Sequence, residues 1–187
     1  MDFSRTCMYN IKVTSSLEEM REYLVCCDFQ KKYSFYMLDI YMVKDTMDIL
    51  TIKSLEELTE YCVIEDINNI NKTIFLVDDK CMSKSNISST MASKAMMEAF
   101  HYQELMHLNY QIDVYESHEM KIYLKEILGQ GIYFDIEENN KYNTEEKLLT
   151  YLKANKFQLD YTDIHINNVE TELKIVQERI RKQNRKK

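Results

Sequence analysis

Helical spacing of apolar residues marks several segments of the chain. The clearest is residues 16–27, where Ser16 with Glu19 has the spacing of a capping box. The residues that fall on one face of this helix are Leu17, Met20, Tyr23, Leu24 and Cys27. Other segments repeat the pattern behind a Ser or Thr cap, and the last of them becomes strongly basic. The predicted helices are 16–27, 54–62, 86–108, 117–128, 144–157 and 168–187.

Runs of β-branched and aromatic residues lie between these helices. They predict strands at 34–43, 48–52, 72–78 and 111–115, and the run at 72–78, KTIFLVD, suits the middle of a sheet. We therefore expect an α/β fold: an N-terminal mixed sheet with flanking helices at 1–110, and a smaller α+β domain at 111–187. The polar stretch 137–143 is typical of a linker.

Composition narrows the class of protein. The apolar fraction of 45% and charged fraction of 29% indicate a folded chain, and the net charge of -7 disfavours general coating of nucleic acid. No apolar run approaches the roughly 20 residues of a membrane span, and the first residues do not resemble a secretory signal, so an intracellular protein is expected. Five cysteines without a C-x-x-C pair indicate reduced thiols. The absence of proline and tryptophan, with only 2 glycines, is typical of an AT-rich genome.

The four histidines do not form a recognisable metal motif. His101 and His107 are six positions apart and would not share a helix face, and His118 lacks the second histidine that a zincin helix requires. With 2 glycines, phosphate-cradling loops are almost excluded. We predict no cofactor and no catalytic residues of the chain's own.

One enzymatic alternative depends on acidic residues at strand ends. Asp48 opens a predicted strand, and Asp78 and Lys80 form a D-x-K triplet at the end of the next one. Such an arrangement is how many nucleases hold Mg²⁺ and orient an attacking water. Charged residues at the exposed end of a buried strand are also expected without any catalytic role.

The basic C-terminal segment has two interpretations. In the structural interpretation, its many cations stabilise the C-terminal end of a helix through the helix dipole. Contact with DNA or with an acidic partner is the functional interpretation, including a small viral or parasite adaptor that binds a host protein. The candidate contact residues are Arg179, Arg181, Lys182 and Arg185, together with Lys84 and Lys94 upstream.

Residues 51–110 carry a series of motifs in a fixed order. A T-I-K strand precedes a helix, an apolar strand, a Met-Ser loop and a helix of the form M-A-x-K-x-x-x-E-x-F-x-x-Q-E-L. The matching residues are Thr51, Ile52, Lys53, Met82, Ser83, Met91, Ala92, Lys94, Glu98, Phe100, Gln103, Glu104, Leu105 and Asn109. This stretch resembles the jaw subunit shared by nuclear RNA polymerases I, II and III, whose C-terminal half is related to a small subunit of the archaeal RNA polymerases.

Downstream of residue 110 the sequence can be aligned with the family in two ways. The family's next helix could begin at Thr144 after an insertion of about 20 residues, or at Ser117 with Glu119 completing the cap. The family's prolines are absent, and its closing strands are replaced by the charged helix. A shortened form of this kind fits a DNA virus that carries its own cytoplasmic polymerase.

The resemblance implies a non-catalytic subunit of a DNA-dependent RNA polymerase. It would contribute to the jaw that holds downstream DNA and assemble with the largest subunits, in the nucleus, the cytoplasm or a virion, without a membrane. On this interpretation the apolar residues of the 86–108 helix are core. Glu104 and Asn109 would fix the turn between domains, and Gln103 and His118 would lie at the same junction. The predicted core residues are Met91, Ala95, Met96, Ala99, Phe100 and Leu105.

Overall fold

The structure is a computed structural model that describes residues 7–44, 47–68, 70–78, 81–137, 141–142 and 144–185. Its strands are β1 (Cys7–Lys12), β2 (Gln30–Val43), β3 (Glu60–Ile67), β4 (Asn71–Asp78), β5 (Cys81–Asn86), β6 (Gln103–Glu116), β7 (Lys121–Ile127) and β8 (Gly131–Glu137). Its α-helices are α1 (Leu17–Cys26), α2 (Thr90–Ala99), α3 (Glu145–Ala154) and α4 (Asn168–Asn184), and two 3₁₀ helices span Met47–Leu50 and Leu55–Glu57. None of the helices found in these ranges is long and apolar enough to cross a membrane.

The chain divides into two compact units. Unit 1 comprises residues 1–35 and 110–167, and unit 2 comprises residues 36–109 and 168–187. The long strands β2 and β6 each contribute one part to unit 1 and another to unit 2. The predicted division into domains 1–110 and 111–187 stays a prediction, since each of the two units is built from two separate stretches of the chain.

The sheet of unit 1 has its apolar core on one face. Its strands follow the order β1-β8-β7-β6-β2, and β8 pairs antiparallel with both β1 and β7. Because successive side chains in a strand alternate between faces, Ile122 and Leu124 of β7 share a face with Phe134 and Ile136 of β8. These residues form the core with apolar side chains of α1 and α3.

A buried carboxylate lies on this helix-covered face. Asp113 of β6 is 1% exposed. Its carboxylate accepts hydrogen bonds from Arg21 Nε at 2.7 Å and Ser34 Oγ at 2.6 Å, and Lys31 Nζ lies 2.8 Å away. The cluster ties α1 and β2 to the C-terminal part of β6, and burial of the carboxylate is compensated by two cations and a hydroxyl.

The core of unit 2 is smaller and lies between its sheet and α2. The strand order is β6-β2-β3-β4-β5, with antiparallel pairs from β2 to β5. Ile40, Met42, Cys62 and Ile64 are paired across β2 and β3 and pack against Met97 of α2. Burial raises the pKa of the Cys62 thiol to about 12, so this cysteine is an inert core residue.

Helix α4 belongs to unit 2 and contacts the segment around residues 49–52 through polar side chains. The buried amide of Gln177 donates to the backbone carbonyls of Ile49 at 2.7 Å and Ile52 at 2.9 Å. Arg181 donates to Leu50 O at 2.9 Å. The basic helix therefore supplies donors to carbonyls of an irregular segment.

Several predicted elements are confirmed. The chain has the predicted α/β character, with a large antiparallel sheet and helices. Helix α1 begins with the predicted capping box, in which Ser16 and Glu19 each bond to the other's backbone N–H. Helix α3 begins at the predicted Thr144 cap, and the strands predicted at 34–43 and 72–78 lie within β2 and β4.

Other predicted elements are wrong. The predicted strand 48–52 begins as the 3₁₀ helix Met47–Leu50, and the predicted helix 54–62 is a short 3₁₀ helix that leads into β3. Most of the predicted helix 117–128 is instead the strand β7, which pairs with β6 on one side and β8 on the other. Along β7, Ile122 and Leu124 lie on one face of the sheet and Tyr123 lies on the other. Long-range pairing outweighs local helix propensity here.

The predicted helix 86–108 is shorter than expected and faces the other way. Helix α2 ends at Ala99, and the chain continues from Gln103 as β6. The inward residues of α2 are Thr90, Ser93 and Met97. Most of the predicted core is exposed, namely Met91, Ala95, Met96, Ala99 and Phe100, and Leu105 is half-buried.

The Asp113 cluster leads to a prediction about stability and pH. Burial alone would raise the pKa of Asp113, but hydrogen bonds from Lys31, Ser34 and Arg21 outweigh burial and lower it. A lowered pKa stabilises the fold above the unfolded-state value of about 4, and this stabilisation is lost as pH falls below it. We expect Asp113→Asn to cost about 3 kcal/mol at pH 7 in urea unfolding, and much less near pH 3.

Glu18→Gln is the matched control for this prediction. The Glu18 carboxylate lies 3.7 Å from the same Arg21 but is 75% exposed, so its loss should change the free energy of unfolding by less than about 0.5 kcal/mol. A cost for Asp113→Asn that did not change between pH 7 and pH 3 would contradict the account.

Candidate functional site

The face of the unit 1 sheet opposite the helices carries charged residues. Strand register places Lys12, Tyr133 and Lys125 in one row across β1, β8 and β7, and Asn10, Asp135 and Tyr123 in the next row. Lys121 and Glu137 extend the pattern toward the ends of β7 and β8. We call the set Lys12, Lys121, Lys125, Asp135 and Glu137 the charged face.

A buried ion pair lies at the middle of the charged face. Lys125 Nζ is 2.6 Å from Asp135 Oδ2, and the two side chains are only 11% and 14% exposed. The residues are diagonal neighbours, since Lys125 is opposite Tyr133 and Asp135 is opposite Tyr123. Each ion compensates the desolvation of the other, so the ammonium group is held in one position.

A second group links a lysine, a tyrosine and a glutamate. Glu137 Oε1 accepts a hydrogen bond from Tyr123 Oη at 2.5 Å and one from Lys121 Nζ at 3.0 Å. The Lys121 ammonium also lies 4.8 Å from the centre of the Tyr123 ring, within cation–π range. These contacts fix Lys121 over the ring.

The titration of this second group favours the charged forms of Lys121 and Glu137. Burial, followed by the Glu137 carboxylate, raises the pKa of Tyr123 to about 12, so the phenol stays protonated and donates. Burial by itself would raise the pKa of Glu137, but bonds from Tyr123 and Lys121 lower it. At Lys121, the contacts with Tyr123 and Glu137 outweigh burial and raise the pKa of the ammonium group.

Lys12 is the exposed cation of the charged face. It lies on β1, opposite Tyr133. Its side chain crosses toward β8, because Lys12 Cε lies 3.9 Å from the position that a Cβ on Gly131 would occupy. Gly131 has a φ of +127°, a conformation that favours glycine, and it begins β8 after a tight hairpin.

The three lysines of the charged face outnumber its two carboxylates by one, and the Asp160 carboxylate also lies near Lys12. A nearby pair, Lys32 and Glu116 at 3.8 Å, adds no net charge. Lysine ammonium groups bind phosphate oxygens as point charges, whereas the hydroxyls of Tyr123 and Tyr133 already donate to Glu137 and to Gln130 O. This face can therefore hold an anion with several oxygens.

The sequence patterns did not indicate any residue of the charged face. A usable signal was the Leu128-Gly129-Gln130-Gly131 segment, whose two glycines are typical of a hairpin turn. A hairpin there would have brought the alternating polar residues of β7 and β8 together. The helix assigned to 117–128 hid this signal.

The residues predicted for the inter-domain junction are spread over several places. Gln103, Glu104 and Asn109 lie along β6. Glu104 bonds to Lys94 and lies 2.8 Å from His107 Nδ1. His118 lies in the turn between β6 and β7 and is 82% exposed.

The residues predicted to contact DNA or a partner are all in unit 2. Lys84 of β5 lies 5.4 Å from the ring centre of Phe75, and Lys94 bonds to Glu104. Arg181 bonds to Leu50 O. The other predicted contacts lie on exposed positions near the end of α4: Arg179, Lys182 and Arg185.

Of the residues of the nuclease alternative that the structure describes, Asp78 ends a strand as predicted, and Asp48 does not open one. Asp48 lies in the 3₁₀ helix Met47–Leu50 instead of a strand, and Asp78 is exposed at the end of β4. Lys80 lies outside the described residues.

Solved structures share this fold. A Pyrococcus horikoshii protein matches with a TM-score of 0.58 and 10% identity over 87% of this chain and 97% of its own. A Hippeastrum protein named for adenylyl cyclase, with a dominant triphosphatase activity, matches with a TM-score of 0.51 and 13% identity over 82% and 90%. A Bacillus halodurans protein named for adenylate cyclase matches with a TM-score of 0.51 and 13% identity, over 82% of this chain and 92% of its own. No protein-family model and no curated protein matches the sequence.

These similarities correct the interpretation as a polymerase subunit. The fold is shared with solved structures of proteins named for adenylate cyclase and for adenylyl cyclase with a triphosphatase activity, and not with a polymerase jaw subunit. The assignments to transcription, to a jaw that holds downstream DNA and to polymerase large subunits as partners are therefore wrong. The short motifs at 51–110 matched because Met, Ala, Glu and Leu at helical spacing converge easily, and part of that stretch is strand.

The metal-dependent enzyme that was the alternative interpretation needs side chains that hold a cation. Among the residues that the structure describes, no three His, Cys, Asp or Glu side chains are placed to hold a cation. Asp135 and Glu137 instead each contact a lysine ammonium. The described residues do not fit a metal centre.

The buried pair Lys125–Asp135 leads to a stability prediction. Lys125→Met would leave the Asp135 carboxylate without the cation that compensates its burial, and we expect a cost of about 3 kcal/mol in urea unfolding. Adding Asp135→Asn should recover part of that loss, because the uncompensated charge is removed. Lys32→Met, which breaks a pair with both side chains well exposed, should cost less than about 0.5 kcal/mol. Equal costs for Lys125→Met and Lys32→Met would contradict the account.

Proposed function

We propose that this chain binds a triphosphate group on the charged face of unit 1. The observation that carries the proposal is the placement of Lys12, Lys121 and Lys125 on one sheet face, two of them held by carboxylates. Fixed ammonium groups lose little side-chain freedom when a ligand binds. The ligand chemistry is an anion with several phosphate oxygens.

The names of the similar structures support the same ligand chemistry. One protein is named for adenylate cyclase, and another for adenylyl cyclase with a dominant triphosphatase activity. Cyclisation of ATP and hydrolysis of a triphosphate both act on a triphosphate group, so the shared element is that group and not the base. We infer that a base is not required for binding to the charged face.

Each residue of the charged face has a distinct part in the proposal. Lys12 is exposed and makes the first contact with the anion. Lys121 and Lys125 bind oxygens from the partly buried positions in which Glu137 and Asp135 orient them. Because the described residues offer no metal centre, the proposal is binding, and hydrolysis is a separate readout.

The first test is calorimetric titration with inorganic triphosphate, ATP, AMP and orthophosphate. We expect triphosphate and ATP to bind with similar affinity, and AMP and orthophosphate to bind at least tenfold more weakly. Phosphate release in Mg²⁺ or Mn²⁺ would be measured on the same samples. No heat of binding with millimolar triphosphate would contradict the proposal, and so would equal affinity for triphosphate and orthophosphate.

A matched pair of variants locates the site. Lys12→Ala removes an exposed cation, so we expect an affinity for triphosphate about tenfold lower, from the loss of one charge-assisted contact, with an unchanged free energy of unfolding. Lys147→Ala removes an exposed lysine of α3, the helix on the other face of the same sheet, and should bind as the wild type does. Equal affinity of the two variants would place the ligand elsewhere.

A further inference from the structure

Helix α2 presents an apolar face to solvent. Met91 is 74% exposed, Met96 48% and Phe100, at the C-terminal cap, 61%. Ala92, Ala95 and Ala99 between them are exposed too. Scattered exposed apolar residues are normal in a soluble domain, but a contiguous helix face of this kind marks an interaction surface. We call these six residues the α2 face.

The outward orientation of the α2 face is fixed by polar contacts on the other side of the helix. Thr90 Oγ1 donates to Asp66 Oδ2 at 2.5 Å, and Ser93 is buried. Met97 is the apolar residue of the helix that enters the unit 2 core. Rotating the helix to bury Met91 or Met96 would expose Met97 and break the Thr90 bond.

We propose that the α2 face binds the α2 face of a second copy of this chain, with the two helices antiparallel. The sequence positions of the face are symmetric about the midpoint between Ala95 and Met96. A two-fold axis through that midpoint brings positions of the two copies to the same height along the helix axes. Position 91 of one copy lies level with position 100 of the other, 92 with 99, and 95 with 96. Such a surface is self-complementary, as an isologous dimer requires.

Side-chain size and charge agree with this arrangement. Ala95 lies at mid-length of the face, and Ala92 and Ala99 lie on its centre line, so two helix axes can approach to about 8 Å. Lys94 and Glu98 lie on one flank of the face with opposite charges. In the antiparallel pair, Lys94 of one copy lies within one residue of the height of Glu98 of the other, although Lys94 also bonds to Glu104 of its own chain.

The size of the face sets the expected strength. Ten residues of helix are about 15 Å long, and such a contact buries well below the roughly 800 Å² per partner of a stable complex. We therefore expect a weak dimer, with a dissociation constant on the order of tens to hundreds of micromolar. The inference does not rest on triphosphate binding, since the α2 face is in unit 2 and the charged face is in unit 1.

Sedimentation of the full chain over a wide concentration range tests the proposal. The wild type should pass from monomer to dimer, and Ala95→Glu should weaken the dimer at least tenfold, because two like charges then meet at the two-fold axis. Leu128→Glu is the control, since Leu128 is 76% exposed in the β7–β8 turn, outside the α2 face. A wild type that stays monomeric at several hundred micromolar overturns the proposal, and so does equal dimerisation of Ala95→Glu and wild type.

Cysteine cross-linking tests the geometry directly. The two Ala95 Cα atoms would lie within the roughly 7 Å that a disulfide spans, whereas the two Met91 Cα atoms would be offset by roughly 13 Å along the helices. Under mild oxidation, Ala95→Cys should yield a 95–95 linked peptide by mass spectrometry, and Met91→Cys should yield no 91–91 link. Cross-linking through Met91→Cys but not Ala95→Cys would overturn the antiparallel arrangement.

Discussion

The ion pair between Lys125 and Asp135 is the interaction on which the charged face depends. The sheet of unit 1 has one apolar face, which helices cover. The residues of β7 and β8 that alternate with the core residues therefore lie on the opposite face. Two of these are ions that are almost fully buried, which is tolerated only because each compensates the other. The pair fixes Lys125 beside Tyr133, with Lys12 beyond it in the same row.

The two units show different uses of an exposed surface. In unit 1 the charged face combines lysines with carboxylates, which orient the ammonium groups but leave little excess charge. In unit 2 helix α2 buries Thr90 and Ser93 and exposes methionine and alanine, a reversal of the usual amphipathic order. The first arrangement suits a small polyanion, and the second suits another apolar helix.

The fold was predictable where a local signal agreed with tertiary packing. The Ser16–Glu19 capping box and the Thr144 cap were read correctly, because caps depend on neighbouring residues alone. Of strand β6, the part at 111–115 was predicted correctly. Its first part was missed even though the buried residues Met106, Leu108 and Tyr110 alternate strictly, because they were assigned to the preceding helix or left unassigned. The Arg21–Asp113 contact joins residues 92 positions apart, so no local pattern could indicate it.

The charged face was hidden for the same reason. Lys125 and Asp135 become neighbours only when β7 and β8 form a hairpin, and the apolar spacing of Met120, Leu124 and Ile127 also fits a helix. The outward orientation of α2 was not predictable from its apolar pattern, which favours burial of Met96 and Phe100. It depends on the bond from Thr90 to Asp66 of β3.

Amide chemical-shift mapping of the full chain during titration with inorganic triphosphate tests the central claim most directly. The account predicts saturable shifts concentrated in β1, β7 and β8, around Lys12, Lys125 and Asp135, with little change along α3. Shifts confined to other elements, or no saturable shift at millimolar triphosphate, would contradict it.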